Sequence, residues 1–214
     1  MRSAAIAALV AGCTFHTDPT IDPPADSGVD GTIDAPADAP PTIAFLTETA
    51  NGNVTPGDAV YCGAGGSNDD AWYRAFRPGD FGITGTLHIL AVHFTAETAK
   101  SANAITVTIW TYTGTIGAPA LDLTKMTPLT TVTGSIPDAG GPTDVWVTRR
   151  GDVAPGGAFV VGISSTNSAS SWFHLGANAA AETEPSYYAS AACGMTTPTS
   201  RPGHSLIIDT EGSW

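Results

Sequence analysis

The amino-acid sequence predicts an all-β chain. Residues 42–214 are expected to form an antiparallel β-sandwich of jelly-roll-like type, behind an N-terminal stretch that cannot build a core. Three observations carry this expectation. The 214 residues include 24 Gly and 16 Pro, and Thr is abundant; this mixture suits short strands joined by turns. Apolar and polar residues alternate in runs spaced as in a sandwich. No segment has the apolar period of an amphipathic helix.

Taken in order, the first strand is expected at Ile43–Thr47 and the second at Asp58–Cys62, after the Pro56-Gly57 turn. Ala71–Arg77 follows and stops at Pro78-Gly79, where proline removes a ladder donor and glycine permits the turn. Thr86–Phe94 and Ala104–Tyr112 come next. In the latter, Ile105, Val107 and Ile109 point one way while Thr106, Thr108, Trp110 and Tyr112 point the other. Leu129–Ser135 and Thr143–Arg149 are separated by Gly140-Gly141-Pro142, and Val145 and Val147 oppose Trp146. Ala158–Ser164 follows Pro155-Gly156-Gly157, and Ser171–Leu175, Ser186–Ala189 and Ser205–Asp209 complete the set. The alanine-rich stretch Ala177–Glu184 is the one place where a helical turn or two could form.

Residues 1–13 have another character. Arg2 supplies a positive start, Ala4–Val10 is uncharged and apolar, and the stretch ends Val10-Ala11-Gly12-Cys13. A charged start and an apolar run are the layout of a secretory signal. Small residues before a cysteine resemble the lipobox of bacterial lipoproteins. That resemblance implies cleavage before Cys13, diacylglycerol on its thiol, and acylation of the new amine. It places the chain in the cell envelope, outside the cytoplasm. Several acyl chains anchor stably where one binds only marginally. Thr14 stands where the resemblance would put Asp for inner-membrane retention, which points to the outer membrane or cell surface.

Residues 14–41 are expected to be a disordered tether. Asp18, Asp22, Asp26, Asp30, Asp34 and Asp38 recur every four residues, and on a helix these like charges would share one face. Pro19, Pro23, Pro24, Pro36, Pro40 and Pro41 forbid a helix in any case. With almost no large apolar side chains the segment cannot bury a core. Extended at about 3.1 Å per residue, it reaches at most roughly 80–90 Å.

Two cysteines remain beyond the anchor, Cys62 and Cys193. An even number in an exported domain predicts a disulfide joining the first part of the domain to the last. The order Thr55–Cys62, Asn68–Phe76, Phe81-Gly82-Ile83, Gly176-Ala177-Asn178, Pro185-Ser186-Tyr187, Cys193-Gly194-Met195 and Thr197-Pro198-Thr199 resembles a β-sandwich module of secreted and surface bacterial proteins, often appended to proteases or adhesins. The resemblance covers roughly residues 50–209. It implies a sandwich and assigns no activity.

The formal net charge is −12, with only 8 Lys and Arg, so the clustered cations that nucleic acid requires are missing. Contact with a membrane is expected through the lipid anchor alone. No metalloprotease, nucleophile-elbow, paired-cysteine or phosphate-loop motif is present, and no cofactor is expected. Gly63-Ala64-Gly65-Gly66-Ser67 reads as a loop. His88 and His93 differ by an odd number, so on a regular strand they face opposite sides and share no metal. His174 and His204 read as partly buried and hydrogen-bonded. Asp69-Asp70 could hold a loop calcium ion, or could pair with Arg74 or Arg77. Nothing selects a pair of carboxylates for glycoside hydrolysis.

The candidate ligand-binding residues are Trp110, Tyr112 and Trp146. By parity all three lie on solvated sheet faces, where flat rings stack on sugars or anchor protein partners, unless a loop or the tether covers them. The expected function is a non-catalytic envelope lipoprotein displaying a binding module for a glycan or protein. A structural envelope protein without a dedicated ligand is the alternative, and a hydrolase is less favoured.

Overall fold

The apolar alternation seen along the chain builds two antiparallel sheets that pack their inner faces together. The computed structural model describes residues 41–63, 69–101, 103–139, 141–168 and 170–214, apart from the side chains of Asp144, Val147 and Arg149. Cys13, the residues expected to form the signal segment and the tether up to residue 40, and most of the Gly-rich stretch 63–67 lie outside the described residues.

The strands in chain order are β1 (Ile43–Leu46), β2 (Asp69–Phe76), β3 (Leu87–Lys100), β4 (Asn103–Tyr112), β5 (Met126–Ile136) and β6 (Thr143–Val153). After them come β7 (Ala158–Thr166), β8 (Trp172–Leu175), β9 (Ala177–Asn178), β10 (Ser186–Ser190), β11 (Met195–Ser200), β12 (Ser205–Leu206) and β13 (Ile208–Ser213). The first sheet has the order β1-β13-β3-β6, with β8 also pairing β3. The second has the order β11-β10-β2-β7-β4-β5, and β9 pairs β12 separately.

The core lies between the two sheets. Ile105, Val107 and Ile109 of β4 face it, as expected, together with Trp72, Phe76, Phe94, Phe159, Phe173 and Tyr188. Val145 packs against it from β6. Both in-strand prolines fall on edges of the second sheet, Pro128 in β5 and Pro198 in β11. An edge strand can spare the missing N–H.

Three expectations need correction. Asp58–Cys62 is extended but is not a strand. Side chains take up its backbone groups: the Glu97 carboxylate accepts from the Gly57 and Ala59 N–H groups, and Trp72 Nε1 donates to the Val60 carbonyl. Ala177–Glu184 makes no helix. Ala177–Asn178 pairs with Ser205–Leu206, and the Asn178 amide donates to the carbonyls of Asn51 and Asn53. Met195–Ser200, not among the expected strands, pairs with β10.

Cys62 and Cys193 form the expected disulfide, with Cα atoms 5.9 Å apart and a sequence separation of 131. It ties the segment before β2 to the short turn after β10.

Candidate functional site

The exposed aromatic surface lies on the outer face of the first sheet. Asp209, His93 and Trp146 stand directly across from one another on β13, β3 and β6. Side chains at matched positions on neighbouring strands touch. Here the His93 ring stacks on the Trp146 indole at 4.3 Å between centroids, and His93 Nδ1 lies 3.6 Å from an Asp209 carboxylate oxygen. Phe45 on edge strand β1 meets Trp146 edge-on at 6.1 Å. Trp146 is 51% exposed and Phe45 58% exposed, and Ile43 extends the apolar strip along β1. Glu211 faces Phe45 across the β1–β13 ladder.

Trp146 also borders a groove of about 280 Å³ between β6 and β5, where the edges of the two sheets meet. Val132, Val145 and Thr133 contribute to its walls. A larger recess of about 700 Å³ opens beside Ile43, between His88, Leu129 and Arg150. The surface thus combines flat apolar rings with the Glu211 carboxylate beside them, while Asp209 is largely buried behind His93. Such a surface can bind a ligand that presents both an apolar face and hydrogen-bond donors.

The three aromatic candidates from the sequence do not form one platform. Trp146 is on the first sheet, whereas Trp110 and Tyr112 are on the second. Tyr112 is only 4% exposed, contrary to the parity argument. The segment after β4 folds back over it: Ile116 and Leu121 pack there, and the Asp122 N–H donates to the Tyr112 hydroxyl. Trp110 is half-buried and lies near Tyr73, with centroids 6.1 Å apart. Trp146 faces outward as expected, opposite Val145; the Val147 side chain is outside the described residues.

The histidine parity argument also fails, because Leu90 is an extra residue in β3 relative to β13. Ile89 pairs with Gly212 and Ala91 with Glu211, so the ladder shifts between them. Leu87 and Ile89 face the core before the bulge, and Val92 and Phe94 after it. A bulge reverses the alternation beyond it, so His88 and His93 share the outer face. Each lies beside its own carboxylate, His88 at 2.9 Å from Asp152 and His93 near Asp209. Among the described residues, no group of three potential metal ligands converges. His174 is held between the rings of Tyr61 and Trp172, and burial pushes its pKa down.

Asp70 is buried and already engaged by protein donors. It accepts from the Tyr188 hydroxyl, from the Asn167 amide at 2.9 Å and from the Cys62 N–H at 3.3 Å. It does not pair with an arginine. Arg74 is fully buried and bonds instead to Glu182 at 2.7 Å, while Arg77 pairs with Glu184 at 2.8 Å. Desolvation raises the Tyr188 pKa, with the neighbouring Asp70 carboxylate adding to the effect.

Sequence reasoning missed Phe45, His93 and Asp209 as members of the exposed surface. In β1, Ile43, Ala44, Phe45 and Leu46 are all apolar, so alternation could not tell its two faces apart. No protein-family model matches the chain, and no curated protein or solved structure is significantly similar to it. The surface must be read from its own chemistry.

Proposed function

We propose that the chain is a non-catalytic lipoprotein of the cell envelope that holds a β-sandwich binding module away from the membrane. The observation that carries this reading is the exposed aromatic strip of Phe45 and Trp146, backed by His93 and Asp209 and edged by Glu211. Large exposed apolar side chains gathered on one face mark interaction surfaces more often than scattered ones do. The ligand is a glycan or protein of the envelope or its surroundings. Buried Asp70 and half-buried Glu182 are committed to hydrogen bonds that hold the fold.

Cys13 supplies the anchor in this reading and residues 14–41 the reach.

Two measurements test the proposal, one on cells and one on isolated envelopes. Cys13→Ser is expected to prevent labelling by radioactive palmitate and to move the protein from the membrane pellet to the soluble fraction. A soluble wild type, or a mutant that still pellets, contradicts the anchor. Purified protein carrying Cys13→Ser is expected to sediment with isolated envelopes, and Trp146→Ala is expected to reduce that sedimentation. Equal sedimentation of both, or none of either, contradicts the binding surface.

A further inference from the structure

The outer face of the second sheet carries a trough that Trp146 does not line, although it shares Thr133 with the groove beside Trp146. Its floor is a row of small side chains in register across four strands: Ala71 on β2, Ser164 on β7, Thr106 on β4 and Thr133 on β5. At about 4.8 Å between strands the row is about 14 Å long. The trough encloses about 340 Å³. It adjoins a smaller recess of about 130 Å³ walled by Tyr73 and Trp110, and Ser164 lines both.

Gly162 makes the aromatic end possible. It sits on β7 directly between Tyr73 and Thr108. A Cβ at this position would lie 2.6 Å from the Trp110 ring and 2.9 Å from the Tyr73 ring. Glycine inside a central strand weakens it, and it is found where something approaches the backbone closely. Here two aromatic rings close over it from either side. The next row continues the hydroxyl lining, with Thr108 and Thr131 bonded to each other at 3.2 Å.

Charge selects the ligand. Among the described residues no cation lines either recess, and of the two acids that line the trough Asp69 is exposed and Asp70 buried. An anionic ligand would meet the exposed carboxylate and a chain of net charge −12. A protein partner would be expected to seek a larger apolar centre than one Trp–Tyr pair. Hydroxyls along a trough that ends in flat rings match a chain of sugar hydroxyls and the apolar faces of its rings. We infer that this trough binds an uncharged polysaccharide, with Trp110 and Tyr73 stacking on one ring and Ser164, Thr106 and Thr133 bonding to the adjoining units. The inference rests on the reading of the domain as a binding module, and names a site and a ligand class for it.

The test is affinity electrophoresis of the full-length chain carrying Cys13→Ser, through gels containing mannan, xylan, soluble β-glucan or, as the charged control, polygalacturonate. Retardation by at least one uncharged polymer is expected, with none by polygalacturonate. Ser164→Trp fills the trough from an exposed position, and Trp110→Ala removes the stacking wall; each is expected to weaken retardation about tenfold or more. Thermal melting shows whether each variant is folded. Trp146→Ala, on the opposite sheet, is expected to bind the polymer as before. Normal retardation of folded Ser164→Trp overturns the trough, as does retardation lost only with Trp146→Ala; the latter leaves the binding-module reading standing. Failure of every uncharged polymer to retard the wild type also overturns the trough. The envelope sedimentation test then decides the module reading separately.

Discussion

Glu48 is a buried acid that the fold satisfies poorly. It is 1% exposed, neither carboxylate oxygen meets a side-chain hydrogen-bond partner among the described residues, and the Glu184 backbone N–H gives its charged form only a little support. Burial pushes its pKa from 4.5 up to about 7; the Arg74 guanidinium opposes the rise, and the Glu184 and Asp80 carboxylates add to it. The folded protein therefore holds this proton more tightly than the unfolded chain does. Stability is unaffected by Glu48 at low pH, where both states are protonated. It falls as pH rises from about 4.5 to about 7, and the whole penalty is present above that window. A shift of this size corresponds to about 3 kcal/mol. Glu48→Gln keeps the shape and cannot ionise. It is expected to stabilise the domain by up to about 3 kcal/mol at pH 8 and by almost nothing at pH 4. Urea unfolding of both proteins at pH 4, 6 and 8, followed by tryptophan fluorescence, measures the difference. The remaining titrating groups are common to both proteins, so their effects largely cancel. A difference that stays flat with pH, or a mutant less stable at pH 8, refutes the reasoning.

Two further outcomes follow from the packing. Reducing the Cys62–Cys193 disulfide is expected to cost about 4–5 kcal/mol in the chain-entropy limit, because it opens a long loop; urea unfolding with and without reductant checks this, and an unchanged midpoint counts against it. Trp146→Ala is expected to change stability by no more than about 0.5 kcal/mol, whereas Tyr112→Ala, which empties a buried ring site, is expected to cost about 3–5 kcal/mol. Chemical unfolding of the two variants side by side separates the surface ring from the covered one.

Much of the sandwich could be read from local alternation. β4 was clear because three branched apolar residues alternate with Thr and Trp, and its inner face packs as that pattern requires. The disulfide could be read from cysteine parity together with the expectation of export. What alternation could not supply was anything set by a partner distant in sequence. The backbone groups of Asp58–Cys62 are satisfied by Glu97 and Trp72, and no local pattern announces that. Met195–Ser200 has no clear alternation, and its Pro198 is tolerated because β11 is an edge. Tyr112 had the right parity for exposure and lost it to Ile116 and Leu121. The bulge at Leu90 brings His88 and His93 to one face although their odd spacing separates them on a regular strand. Of the exposed aromatic surface, Trp146 alone was foreseen; its neighbours come from β1, β3 and β13, which are far apart in the chain.

The central claim is that the Trp146 face meets a ligand in the envelope. Photocrosslinking in living cells tests it most directly. Trp146 is replaced by a photoreactive phenylalanine in the full-length chain, and Asp122, exposed on a loop of the other sheet, is replaced in a control. After irradiation, a discrete higher-mass adduct is expected from position 146 and not from position 122. No adduct from position 146, or the same adducts from both positions, contradicts the account.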